Sequence, residues 1–185
     1  GLTGADFLAG IPGTVGGALA MNAGAFGSEI WSFVTQAEMI NRQGELTNRK
    51  TEEFDVHYRQ VSQFNNEWFA AARFRFDTRL EQKGSNIKKL LQQRNASQPI
   101  GLPSCGSVFK NPKGQYAAKL IEAAGLKGYC HGNAWVSEKH ANFIISNAQT
   151  SSKDIEGLVE LIQQTVKQKF DVTLETEVRI LGDEL

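Results

Sequence analysis

Four stretches of the chain combine residue types that can do chemistry. In Cys105-Gly106-Ser107-Val108-Phe109-Lys110-Asn111-Pro112, a serine follows a glycine and precedes a lysine and an asparagine. Such a hydroxyl can donate a proton or attack as a nucleophile, provided it is placed and its alkoxide is stabilised. The G-x-S-x-G pattern of a nucleophile elbow is not present. His57, His131 and His140 are available as bases, but nothing in their spacing brings them to Ser107. A turn or capping serine is the plainer alternative. For Cys105 the plainer alternative to a nucleophile is a small buried residue.

Tyr58-Arg59 sets a planar cation beside an aromatic ring. That pair can face a developing oxyanion, or it can make a surface ion pair with Asp55 or Glu53 of little energetic weight. Glu175, Glu177 and Arg179 alternate on what reads as one strand face. Two carboxylates so spaced repel unless a cation joins them, and Arg179 is a cation at the right offset, which would free one carboxyl for acid work. A charged edge strand is the alternative.

The last stretch runs Gly10-Ile11-Pro12-Gly13-Thr14-Val15-Gly16-Gly17-Ala18, then Asn22-Ala23-Gly24. Glycine at this density lets backbone N–H groups approach phosphate or ring oxygens. It equally suits a tight apolar turn that packs a helix on a sheet. The spacing is not G-x-G-x-x-G, and no Walker lysine follows.

These residues need a scaffold. Phe33 to Ile40 reads as a strand, Asn41 to Gly44 as a turn and Glu45 to Asn48 as the return strand. Trp68 to Phe76 alternates, with Trp68, Ala70, Ala72, Phe74 and Phe76 on one face and Phe69, Ala71, Arg73 and Arg75 on the other. A helix is expected over Ile87 to Arg94, capped by Ser85 or Asn86, and a breaker-rich junction over Gln98 to Pro103. Tyr116 to Ala124 reads as a helix stopped by Gly125. Short strands follow at Trp135 to Ser137 and Asn142 to Ser146. Asp154 to Phe170 is the clearest helix, with Ile155, Leu158, Val159, Ile162, Val166 and Phe170 along one stripe. Ser151 and Asp154 have the spacing of a capping box. A closing strand is expected, with Val172, Leu174, Thr176, Val178 and Ile180 on one face and Glu175, Glu177 and Arg179 on the other. The mixture places the fold in the α+β or α/β class.

Bulk properties narrow the functions. The 185 residues carry a formal net charge of zero, with 41% hydrophobic and 22% charged residues. No global basic surface recruits nucleic acid or an anionic membrane. No apolar run approaches the ~20 residues of a membrane span, and no signal peptide is visible. Cys105 and Cys130 form neither a disulfide framework nor a zinc-ligand pattern, so no metal is expected, and a reducing, cytoplasmic setting fits.

Taken in order, the segments LAGIPGTVGGALAMNAGAFGSEI, YR, PSCGSVFKNP, AAKLIEAAGLKG, VSEKHANFIISN and LETEVRILG resemble the UDP-N-acetylenolpyruvoylglucosamine reductases, in their shorter subtype, over nearly the whole chain. The resemblance implies an α+β fold. Residues 1–95 would be the later half of a flavin-binding domain of the vanillyl-alcohol-oxidase/PCMH type, and residues 96–185 a substrate-binding domain with its terminal strand. The opening on Gly1-Leu2-Thr3-Gly4 suggests an excerpt that lacks an N-terminal flavin-binding stretch. FAD would then be held weakly or not at all, leaving a nucleotide-sugar-binding module as the alternative, beside another flavin oxidoreductase of the same fold.

The resemblance also implies a reaction. FAD, reduced by NADPH, would pass hydride to UDP-N-acetylglucosamine enolpyruvate and give UDP-N-acetylmuramate, a peptidoglycan precursor needed for cell-wall biogenesis, cell shape and division. By the same resemblance, Ser107 matches the proton donor, and Glu177 and Arg59 match the pair that stabilises the intermediate. Gly10, Ile11, Pro12, Gly13, Thr14, Gly16, Gly17, Asn22 and Gly24 match the flavin-contacting loop, and Arg94 a position near flavin or substrate. Tyr58, Lys110 and Asn111 are expected to help hold the small-molecule nucleotide sugar in a monomeric enzyme. Departures from the pattern fall at His131 to Trp135, at Ala118, and at Gln60-Val61-Ser62, one residue longer than usual.

Overall fold

A computed structural model describes residues 4–62, 65–76 and 87–182. It separates into two compact units, Gly1–Arg94 and Asn95–Leu185.

In the first unit Thr14 caps a short helix α1 (Val15–Ala20), its hydroxyl accepting from the Gly17 N–H. A two-stranded ribbon, β1 (Gly24–Ala25) and β2 (Ser28–Glu29), follows. Next comes a three-stranded antiparallel sheet built from β3 (Val34–Asn41), β4 (Leu46–Lys50) and β7 (Glu67–Phe74), with β3 in the centre. The Asn41 side-chain oxygen accepts the N–H groups of Gln43 and Glu45, which closes the β3–β4 turn as an Asx turn. β5 (Asp55–His57) and β6 (Gln60–Ser62) make a second small ribbon. The core gathers Leu19, Ile30, Trp31, Met39 and Phe54. The rings of Trp31 and Phe54 lie 4.9 Å apart and those of Phe54 and Phe69 5.8 Å apart. Such tilted contacts add to simple burial.

The faces of β7 differ from the alternation expected for it. Phe69, Ala72 and Phe74 pack on the core, while Trp68 is 52% exposed. The register slips between Glu38 and Met39, which pair with Ala71 and Phe69 respectively. Ala70 is the extra residue of a β-bulge, and one extra residue reverses which side chains face in.

Helix α2 (Ile87–Ser97) runs across the division between the units. Its expected caps, Ser85 and Asn86, lie outside the described residues.

In the second unit, α3 (Ala117–Ala123) ends before Gly125 at φ 82°, as a left-handed C-cap requires. A small antiparallel sheet joins β8 (Cys130–His131), β9 (Ala134–Val136) and β10 (Ile144–Ile145). Helix α4 (Ser152–Phe170) begins at a capping box in which Ser151 and Asp154 bond each other's N–H. Leu158, Val159, Ile162 and Val166 are buried against Ile121, Val136 and Phe109. Each such side chain contributes ~1.5–3 kcal/mol through burial. Phe170, expected on the same stripe, is 38% exposed, because it falls at the helix end beyond the core it would cover.

The closing strand is likewise less regular than expected. Leu174 is buried and Val172 and Val178 pack on the core, but Ile180 is 59% exposed. A single antiparallel bridge, Phe109 to Thr176, replaces a ladder. Among the described residues no helix is long and apolar enough to cross a membrane.

Candidate functional site

In the second unit the bridge at Phe109 is what organises chemistry. The N–H of Lys110 donates to the Glu175 carbonyl at 2.9 Å, and the Val108 carbonyl accepts from Glu177 at 2.8 Å and from Val178 at 3.3 Å. The serine segment and the glutamate segment, remote in sequence, thus run side by side. Gly106 at φ 83° turns the chain into Ser107, and both Ser107 and Glu177 are half-buried. Lys110 reaches Glu175 at 3.4 Å across the same pairing, an exposed ion pair of small energetic weight. Glu175 therefore has Lys110 as a cationic partner. The Asn111 side-chain oxygen accepts from the Ala117 N–H at 3.0 Å and so tethers the start of α3.

Cys105 is exposed rather than a small buried residue, and both cysteines are free thiols. Desolvation pushes the Cys105 thiol pKa up despite an opposing backbone hydrogen bond. It is therefore a weak nucleophile at neutral pH. His140 packs edge-on against Phe143 at 4.8 Å. Burial lowers its pKa, a backbone hydrogen bond opposes that, and the charge of Lys127 lowers it further, so the imidazole is held neutral.

Arg59 lies in the first unit. Its side chain is 17% exposed and donates to the carbonyls of Asn22 at 3.2 Å and Gly24 at 2.7 Å, with the Glu29 carboxylate 3.9 Å away. The guanidinium sits 4.8 Å from the Tyr58 ring centroid. The surface pairs open to it in sequence go elsewhere: Asp55 meets His57 at 3.0 Å, and Glu53 meets Arg49 at 3.6 Å. Arg59 itself takes a left-handed φ of 54°, which turns β5 into β6 and aims the side chain at the β1 segment.

Asn22, 1% exposed and also left-handed at φ 44°, holds these pieces together. Its amide nitrogen donates to Glu29 at 2.8 Å and to the His57 carbonyl at 3.1 Å, and its side-chain oxygen accepts from Trp31 at 3.4 Å. A shallow hollow of about 380 Å³ lies alongside, lined by residues that include Asn22, Glu29, Trp31, His57 and Tyr58.

The glycine loop divides into two kinds of position. At Gly10, φ 76°, an added Cβ would stand 2.9 Å from Leu91 and 3.2 Å from Arg94, so this glycine serves internal packing. At Gly13, φ 128°, an added Cβ would meet nothing within 4 Å. Pro12, Gly13, Thr14 and Gly17 are exposed, while Ile11 and Gly16 are half-buried. This open stretch of backbone suits close approach by a flat or phosphate-bearing group. Arg94 is buried near Phe26, 5.8 Å from the ring, and desolvation lowers its pKa. An arginine remains cationic there. Among the described residues no cluster of His, Cys, Asp or Glu could hold a metal ion.

Residues 98–181 match the family model for the C-terminal domain of UDP-N-acetylenolpyruvoylglucosamine reductase. Residues 1–49 match an FAD binding domain. The reductase of that name from Coxiella burnetii (strain Dugway 5J108-111) is 54% identical over 183 residues, covering 98% of the chain and 58% of that relative. Its namesake from Alkalilimnicola ehrlichii is 54% identical over 184 residues, covering 99% and 62%. The chain carries the C-terminal domain of this reductase family.

The chain spans about three fifths of the length of these relatives. The crystal structure of UDP-N-acetylenolpyruvylglucosamine reductase from Thermus caldophilus superposes with a TM-score of 0.85 at 32% identity, covering 98% of this chain and 65% of that one. The fold class is accordingly α+β, with part of an FAD-binding domain ahead of the reductase family's C-terminal domain. Ser107, Lys110, Asn111 and Glu177 fall within the second matched segment and the Gly10-to-Gly24 loop within the first; Tyr58, Arg59 and Arg94 lie in neither.

Two residues that matter to this geometry were not singled out for it in the sequence. The family resemblance makes Asn22 a cofactor contact, and its side-chain hydrogen bonds also tie the loop to Glu29, Trp31 and His57. Asn142, buried beside Phe109, was read only as part of a strand. Asparagines inside otherwise apolar runs were the available signal.

Proposed function

We propose that the protein reduces UDP-N-acetylglucosamine enolpyruvate to UDP-N-acetylmuramate with NADPH and FAD. In this reading the unit Gly1–Arg94 serves the cofactor and Asn95–Leu185 the nucleotide sugar. The observation that carries the proposal is the pairing of Val108 with Glu177, which lays the Ser107 and Glu177 segments together in a chain that carries this family's C-terminal domain. The exposed backbone from Pro12 to Gly17 would hold FAD, with Asn22 and Gly24 shaping the loop behind it and Arg94 nearby. Bound FAD would supply hydride transfer, the part of the chemistry a side chain cannot perform.

The residues of the chain have the remaining work. Hydride addition to one carbon of the enolpyruvyl group leaves electron density on the neighbouring carbon and its carboxylate. Ser107 gives its hydroxyl proton to that carbon. Arg59 offers a fixed cation to the developing charge, and Glu177 polarises the intermediate. A single preorganised donor of this kind is worth ~3 kcal/mol at the barrier. Tyr58, Lys110 and Asn111 orient the nucleotide sugar. The setting is the cytoplasm, and the protein acts as a monomer in cell-wall precursor synthesis.

Two measurements test this. Flavin absorbance of the purified protein, before and after added FAD, reads cofactor binding. In the flavin-loaded enzyme, Ser107→Ala should remove most substrate-dependent NADPH oxidation and leave flavin reduction by NADPH intact. Equal loss of both would refute the proton-donor role.

A further inference from the structure

Asn142 is 4% exposed, and its side chain and main-chain carbonyl are directed at the two residues after Ser107. Its side-chain oxygen accepts the Phe109 N–H at 3.0 Å, and its amide nitrogen donates to the Phe109 carbonyl at 2.8 Å. Its main-chain carbonyl accepts the Val108 N–H at 2.9 Å. An amide side chain that engages both polar groups of one residue imitates the exchange between paired strands. Lys110 and Val108 are held from the 175–178 segment, so the backbone after Ser107 is clamped from two sides.

Asn142 is itself fixed. Its N–H donates to His140 Nδ1 at 3.3 Å, the Phe143 N–H donates to the His140 carbonyl at 3.0 Å, and the Ser137 hydroxyl accepts from Lys139 and His140. Only a side chain with a donor and an acceptor at this length makes both Phe109 bonds. An apolar residue would leave two buried backbone groups without partners.

We infer that Asn142 is a positioning residue for Ser107: by gripping Phe109 it sets where the serine hydroxyl stands when it delivers its proton. The inference rests on the reading of Ser107 as proton donor. The backbone bonds to residues 175–178 hold one edge of the Ser107 segment, and the Asn142 side chain holds Phe109 on the other, where the Phe109–Thr176 bridge stands outside any regular strand. A serine held by loop backbone alone would wander, and a displacement of about 1 Å is enough to cost ~10²-fold in rate.

The test uses the flavin-loaded enzyme with Asn142→Ala and Asn142→Asp, each alone and combined with Ser107→Ala. The aspartate variant keeps shape and the acceptor for Phe109 N–H while losing the donor to its carbonyl, so it covers the case in which the alanine variant does not fold. The expected result is kcat lowered ~10- to 100-fold in Asn142→Ala and less in Asn142→Asp. KM for the nucleotide sugar should stay within ~3-fold, and flavin reduction by NADPH should be unchanged. Combined with Ser107→Ala, either substitution should add less than ~2-fold, because residues acting through one group are not additive.

Multiplying losses in the double variants, wild-type kcat in both single variants, or flavin reduction falling in step would overturn the inference. Full turnover in Ser107→Ala alone would instead remove the serine reading, and this inference with it.

Discussion

The guanidinium of Arg59 donates to the Gly24 carbonyl at 2.7 Å, at a glycine that has no room for a side chain. A Cβ there would stand 2.5 Å from the Ser28 carbonyl oxygen, 2.9 Å from Glu29 Cγ and 3.3 Å from Arg59 Nη1. The first of these is backbone in the paired strand and cannot rotate away. Gly24→Ala is therefore expected to open the β1–β2 ribbon at a cost of ~1–3 kcal/mol. A melting temperature lowered by roughly 2–4 °C per kcal/mol checks this. An unchanged melting temperature would mean that the ribbon relaxes without cost.

Arg59→Lys separates charge from geometry. An ammonium is a point donor and cannot reproduce the planar fork that reaches the Asn22 and Gly24 carbonyls together. If Arg59 faces the developing charge in the proposed reaction, kcat should fall by about 10²-fold while flavin reduction by NADPH persists. Steady-state and single-turnover absorbance measurements together read both quantities. Wild-type turnover in the lysine variant would show that a point charge suffices and that the planar fork plays no part.

Much of the scaffold was legible because it is periodic. The stripe Ile155 to Val166, the Ser151–Asp154 cap and the Gly125 stop each follow from local spacing, and α4 and α3 stand where that spacing puts them. The β7 faces were not legible, because a bulge at Ala70 leaves no mark in a run of alanines and reverses Trp68 and Phe69. The closing segment alternates in sequence yet bonds mainly to the short stretch around Phe109, so alternation alone overstated it as a strand. Ser107, Glu177 and Arg59 were named from family resemblance; residue spacing brought none of them together. The amides of Asn22 and Asn142 reach across long sequence separations, and no periodicity encodes such bonds.

The capping box of α4 gives a prediction about stability. The Ser151 hydroxyl accepts the Asp154 N–H at 3.1 Å, and the Asp154 carboxylate accepts the Ser151 N–H at 2.9 Å. Ser151→Ala should cost about 1 kcal/mol, the usual worth of an N-cap. The Asp154 pKa is lowered chiefly by the Ser151 backbone hydrogen bond. A carboxyl with a depressed folded pKa contributes stability that is present above its unfolded pKa, ~3.9, and lost as pH falls through the folded value. Asp154→Asn should therefore flatten the acid limb of a urea-midpoint profile. Ser151→Ala keeps the backbone donor and loses only the lesser contribution of the hydroxyl, so it should lower the profile and flatten the acid limb less than Asp154→Asn does. An identical acid limb in wild type and Asp154→Asn would refute the assignment.

His140 acts in a neighbouring pH window. Burial lowers its pKa, the His140 backbone hydrogen bond opposes this, and Lys127 adds to the lowering. The unfolded imidazole therefore binds a proton at a pH where the folded one does not. Stability is complete above the unfolded pKa of 6.5, declines as pH falls below it, and declines no further once pH passes the folded value. His140→Gln removes the titration while keeping an oxygen able to accept the Asn142 N–H that Nδ1 now accepts at 3.3 Å. Its stability should change less than that of wild type between pH 7.5 and 5.5, read as the difference in urea midpoint, whatever its absolute stability. Carboxylates such as Asp154 titrate in both proteins and cancel in that difference. Parallel profiles would mean that the imidazole accepts its proton in the folded state at no cost.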